Sequence, residues 1–103
     1  MIHIKANRKD GKIVYLSVEG HANYDEEGKD IVCAAISAIS VGGINALKQP
    51  KDFILKVEKG NVEISQKCKA SEYDYQVLET MLIQLKTVEE IYSKEVQVIE
   101  KGN

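Results

Sequence analysis

Apolar and polar residues alternate at two places near the start of the chain, over residues 2–8, IHIKANR, and residues 13–19, IVYLSVE. A period of two sends successive side chains to opposite faces, which predicts two half-buried β-strands. Between them, Lys9-Asp10-Gly11-Lys12 carries the Asp-Gly pair of a tight hairpin turn. A polar stretch, HANYDEEGK, follows Gly20 and reads as a loop. The pattern then changes character. From Ile31 to about Leu47 apolar residues fall on nearly every side, and the length and alanine content predict a helix, with Pro50 as a stop shortly beyond.

Residues 53–58, FILKVE, and 62–68, VEISQKC, flank Lys59-Gly60-Asn61 and predict a second hairpin. Over residues 72–92, Tyr75, Val77, Leu78, Met81, Leu82, Leu85, Val88, Ile91 and Tyr92 form a helical stripe, and Ser71 stands where an N-cap is needed. The tail KEVQVIEKG alternates again and predicts a last strand. The order ββαββαβ implies an α+β fold, a two-layer sandwich of a mainly antiparallel sheet with both helices on one face.

A helix apolar all round must be covered on more than one side. The sheet and the second helix cover part of the one from Ile31 to Leu47, so a homodimer is expected to bury its later turns or a neighbouring sheet edge. Gly42-Gly43 lowers helix stability unless close backbone approach compensates, which points to a tight packing contact in the same region.

The chain has 103 residues, enough for a single domain over 1–103. Its formal net charge of −2 argues against a nucleic-acid footprint, which needs a concentrated excess of Lys and Arg, and favours a basic partner. No apolar run approaches the roughly 20 residues that span a bilayer, and MIHIKANRKD does not read as a signal peptide. The expected location is cytoplasmic, where Cys33 and Cys68 stay reduced.

Two residues in the stretch GHANYDEEGKDIVCAAIS carry candidate chemistry. With Asp30 as N-cap, Cys33 falls in the first turn of the helix, where unpaired N–H groups favour a thiolate. His21 follows the second strand and can turn back to take the thiol proton. A small buried hydrophobe is the plainer reading of a cysteine on an alanine-rich helix. It goes with the alternative of a non-catalytic dimeric binding or assembly module in which Cys33 is inert. A metal site from His21, Cys33, His3 and Cys68 lacks any paired ligand spacing, and no metal or cofactor is expected.

The string Gly20-His21-Ala22, the acidic loop, and then Gly28, Asp30-Ile31-Val32-Cys33-Ala34-Ala35-Ile36-Ser37 and Asn45-Ala46-Leu47 resemble the ribosomal-processing cysteine protease family of small bacterial proteins. Ile36 departs conservatively from the pattern, which more often has Val. The resemblance implies a homodimeric endopeptidase that removes the N-terminal extension of a large-subunit ribosomal protein, cutting after an aromatic-rich segment. It makes His21 the general base and Cys33 the nucleophile, with Asp30 and Ser37 at the family's other motif positions.

Asp30 suits either an N-cap or an orienter of His21, and Ser37 either lines the site or returns a hydrogen bond to the backbone of Cys33. In the loop, Asn23, Tyr24, Asp25, Glu26, Glu27 and Gly28 are expected to meet the basic substrate segment. Residues 22–29 are expected to be the most mobile internal segment and to close over that segment.

Overall fold

The computed structural model describes residues 1–20 and 29–103, with Lys29 and Asp30 described by their backbone alone. The two strands of the first hairpin are β1 (Ile2–Lys9) and β2 (Lys12–Gly20), and the first helix is α1 (Lys29–Ala46). A short 3-10 turn over Pro50–Asp52 leads into β3 (Phe53–Glu58) and β4 (Asn61–Gln66). Helix α2 (Glu72–Ile91) and β5 (Val96–Gly102) complete the chain. The element order is the expected ββαββαβ.

Local chemistry accounts for most of these boundaries. Asp10 and Gly11 both take positive φ, 52° and 79°, as the tight turn between β1 and β2 requires. Ser71 caps α2 by accepting a hydrogen bond from the Asp74 backbone N–H at 3.1 Å, a contact of a kind that contributes about 1 kcal/mol.

The five strands form one sheet in the order β3-β4-β2-β1-β5. Every neighbouring pair is antiparallel except β1 with β5, which runs parallel from Ile2 opposite Val96 to Arg8 opposite Gly102. The pleat sorts the side chains. Ile4, Leu16 and Ile64 are buried beneath the helices with Val32 and Ile36 of α1 and Leu78, Leu82 and Leu85 of α2. The opposite face carries His3, Lys5, Tyr15, Glu19 and Gln97, so both helices lie on one side of the sheet.

Two contacts lock α1 onto α2. A Cβ on Gly43 would collide with the Met81 side chain, so glycine is what permits the helices to approach there. Asp74, fully buried, accepts hydrogen bonds from the backbone N–H groups of Lys48 and Gln49 at 2.9 and 3.0 Å, which ties the chain leaving α1 to the first turn of α2. The expected tight contact at the glycine pair is thus made by Gly43. Gly42 faces the other way, into open space.

Candidate active site

Among the described residues α1 runs from Lys29, so Asp30 lies inside the helix and is not the residue that precedes it. Cys33 is the fifth described residue of the helix. The free N–H groups of a helix belong to its first turn, and Cys33 stands just beyond them, so the macrodipole acts on it more weakly than the N-cap reading of Asp30 supposed. An acidic residue is favourable both as a cap and in the first turn, and Asp30 is found within the helix.

Cys33 is half-buried and lies on the wall of a cleft of about 240 Å³ between α1 and the β3–β4 hairpin. From α1 the cleft takes Cys33, Ile36, Ser37 and Val41; its far wall is the hairpin turn from Glu58 to Asn61. Gly20, the last residue of β2, lines it too, and its N–H donates to the Gly60 carbonyl at 3.0 Å. That bond joins the end of β2 to the opposite wall. Gly20 has φ 105°, and a Cβ there would run into the Met1 carbonyl, so a glycine is required where the chain leaves the sheet beside the cleft.

The candidate residues are distributed as follows. Cys33 and Ser37 share the cleft, one helical turn apart. Ser37 is exposed, and the hydrogen bond back to the preceding turn is made instead by buried Ser40, to the Ile36 carbonyl at 2.8 Å. His21, Asn23, Tyr24, Asp25, Glu26, Glu27 and Gly28 lie outside the described residues, as does the side chain of Asp30, and with them the expected mobility of residues 22–29.

His3 and Cys68 are not near this cleft. His3 sits on the open face of the sheet, its Nδ1 3.2 Å from Gln97 Oε1. Cys68, placed in a bend beyond β4 and not within the strand, donates its thiol to Asp52 Oδ1 at 3.3 Å, at the opposite end of the β3–β4 hairpin from the cleft. That hydrogen bond, with some desolvation and the carboxylate's charge, raises the Cys68 pKa above its ordinary value. Among the described residues no three His, Cys, Asp or Glu side chains gather as metal ligands would.

Sequence reasoning missed most of the cleft wall: Gly20, Val41, Val57 and the turn from Glu58 to Asn61. All but Val41, which is on α1, come together through long-range strand pairing, which no short stretch of sequence displays. The signal that was available is Val41, an apolar residue on an exposed helix position one turn beyond Ser37.

A half-buried thiol on the wall of a cleft, on an α+β scaffold backed by a single sheet, is an arrangement that a cysteine-dependent enzyme can use. The chain belongs to the cysteine protease Prp family, whose family model matches residues 1–97, and is therefore a peptidase. It is 31% identical over 93 residues to the ribosomal processing cysteine protease Prp of Staphylococcus aureus, which covers 86% of this chain and 88% of the relative. The crystal structure of an essential ribosomal processing protease Prp from S. aureus, in complex with a covalently linked product peptide, superposes with a TM-score of 0.84 at 30% identity, covering 98% of this chain and 100% of that one. The same S. aureus protease in complex with a substrate peptide gives 0.79 at 28% identity, again over 98% and 100%.

Proposed function

We propose that this chain removes the N-terminal extension of a large-subunit ribosomal protein, with Cys33 as nucleophile and His21 as general base. The observation that carries the reading is the cleft itself. It holds the Cys33 thiol between α1 and the β3–β4 turn, and Gly20, directly before His21 in the chain, lies on its wall. The covalently linked product peptide in the S. aureus relative is what a nucleophilic cysteine would leave behind.

The chemistry follows. His21 takes the Cys33 proton, and sulfur attacks the scissile carbonyl to form a tetrahedral adduct. His21 then returns the proton to the departing amine as the C–N bond breaks. Water, deprotonated by the same imidazole, hydrolyses the thioester and frees the new carboxylate. Asp30 orients His21, and Ser37 lines the site. The acidic loop residues Asp25, Glu26 and Glu27 attract the basic ribosomal segment. This work falls to one domain over residues 1–103, in the cytoplasm, with no nucleic acid held directly.

The test is incubation with a peptide spanning the extension, read by mass. A single cut is expected from the wild type, and none from Cys33→Ala or His21→Ala proteins that keep the wild-type circular dichroism. A Cys33→Ala protein that cuts at the wild-type rate removes the assignment.

The same reading includes a homodimer. From Ile31 to Leu47 there is no charged residue, yet Ile31, Ala34, Ala38, Val41, Gly42 and Ala46 are exposed. Ala38, Gly42 and Ala46 border an apolar groove of about 540 Å³ whose other side is Tyr73, Val77 and Thr80 of α2. A second copy of the chain covers this face. Light scattering is expected to give twice the chain mass, and Gly42→Arg, which fits into open space within one copy, is expected to give the monomer. A wild type that stays monomeric across a wide concentration range removes the dimer.

A further inference from the structure

The floor of the cleft is one register row of the sheet. Ile4 of β1 pairs with Val18 of β2, Val18 with Val62 of β4, and Val62 with Val57 of β3, all on the helix-covered face. Exposure along the row decides its meaning: Ile4 is 0% exposed, Val18 and Val62 are 8% each, and Val57 is 54%. The row starts under the helices and emerges at the sheet edge as a bare valine. Val18, Val62 and Val57 line the same cleft as Cys33, with Val41 of α1 above them. The charged members of the lining are Glu58 and Lys59, both on the hairpin wall.

We propose that this row is the track for the substrate chain, and that Val57 is a specificity-determining residue that reads an apolar substrate side chain two or three residues from the scissile bond. The inference rests on the protease reading above. Neighbouring strands lie about 4.8 Å apart, so the row from Val18 to Val57 spans about 10 Å, the length of roughly three extended residues. A peptide that lies along the row with its reacting carbonyl at Cys33 places a side chain over Val57 in the same cleft. A valine left exposed there gains burial only when that side chain covers it, and the loss of such an apolar contact changes kcat/KM by roughly 10- to 200-fold.

A charge swap tests this. Val57→Glu is compared with the wild type on an extension peptide that is apolar around the cut, where the resemblance implies an aromatic-rich segment, and on copies carrying one Lys at each successive position on either side of the cut. Because Val57 is exposed on an edge strand, Glu is accommodated there without disturbing the core. The variant is expected to cut the apolar peptide at least about tenfold less efficiently. It is also expected to recover on the peptide whose Lys falls at one position, two or three residues from the cut, where the wild type does worst.

Iodoacetamide labelling of Cys33, followed by mass, is expected to be the same in both proteins. Cleavage of the apolar peptide at the wild-type rate by Val57→Glu overturns the track while leaving the protease intact. So does a loss that no Lys position restores. A wild type that cuts no peptide removes the protease reading and the track together.

Discussion

Cys33 and Cys68 are both free thiols, and they have nothing else in common. Cys68 is the more exposed of the two, so accessibility alone would choose it as the nucleophile. Its sulfur, however, is hydrogen-bonded to the Asp52 carboxylate, which stabilises the thiol and opposes the thiolate. Cys33 is half-buried on the wall of a cleft of about 240 Å³, with the end of β2 beside it. With Cys33 as the proposed nucleophile, the contrast teaches that a nucleophile is made by what surrounds the sulfur and by what can be brought to it, and much less by how much solvent it sees.

The largest expected effect separates the two residues by activity. On the proposed mechanism, Cys33→Ala is expected to lower peptide cleavage by more than about 1000-fold, because it removes the sulfur that forms the covalent intermediate. Cys68→Ala is expected to stay within about twofold of the wild type, since among the described residues the Cys68 side chain bonds only to Asp52, away from the cleft. If both variants lose activity together, the contrast fails.

A smaller effect is expected in labelling. With His21 as its base, Cys33 should react with iodoacetamide at pH 7 at least about tenfold faster than Cys68, which Asp52 keeps as thiol. Rates read by mass on single-cysteine proteins check this. A faster Cys68 would mean that accessibility decides after all.

Legibility from the sequence differed in the same way between the two ends of the β3–β4 hairpin. Local signals were reliable: Asp10-Gly11 made the expected turn, Ser71 the expected cap, and the alternating segments became the expected strands. Cys33 was singled out from short-range features, a helix position and a preceding histidine, and the fold places it on the wall of a cleft. The start of α1 was misplaced by one residue or more because Asp30 suits a cap and a first-turn position almost equally.

The valine row was invisible, since Val18, Val62 and Val57 become neighbours only through the pairing of β2 with β4 and of β4 with β3. The parallel seating of β5 against β1 was hidden for the same reason. Asp52 and Cys68, 16 residues apart, also meet only in the folded chain.

The smallest expected effect tests that last contact. Asp52→Asn removes the negative charge and the strong acceptor beside Cys68, while its backbone carbonyl still accepts from the Lys67 and Cys68 N–H groups at 2.8 and 3.3 Å. The bend that places Cys68 is therefore retained. The sign follows from the direction of the shift. Asp52 raises the thiol pKa, so its loss lets the pKa fall toward the ordinary value of about 8.5, and the thiolate fraction in the mildly alkaline range goes up. Labelling of Cys68 at pH 8 is expected to rise by roughly two- to fivefold, with its pH–rate profile displaced to lower pH and the Cys33 profile unmoved. An unchanged Cys68 profile would show that Asp52 does not govern this thiol. A shift in Cys33 as well would mean that the two ends of the hairpin are coupled, and the contrast between a prepared cysteine and a restrained one could no longer rest on their separate surroundings.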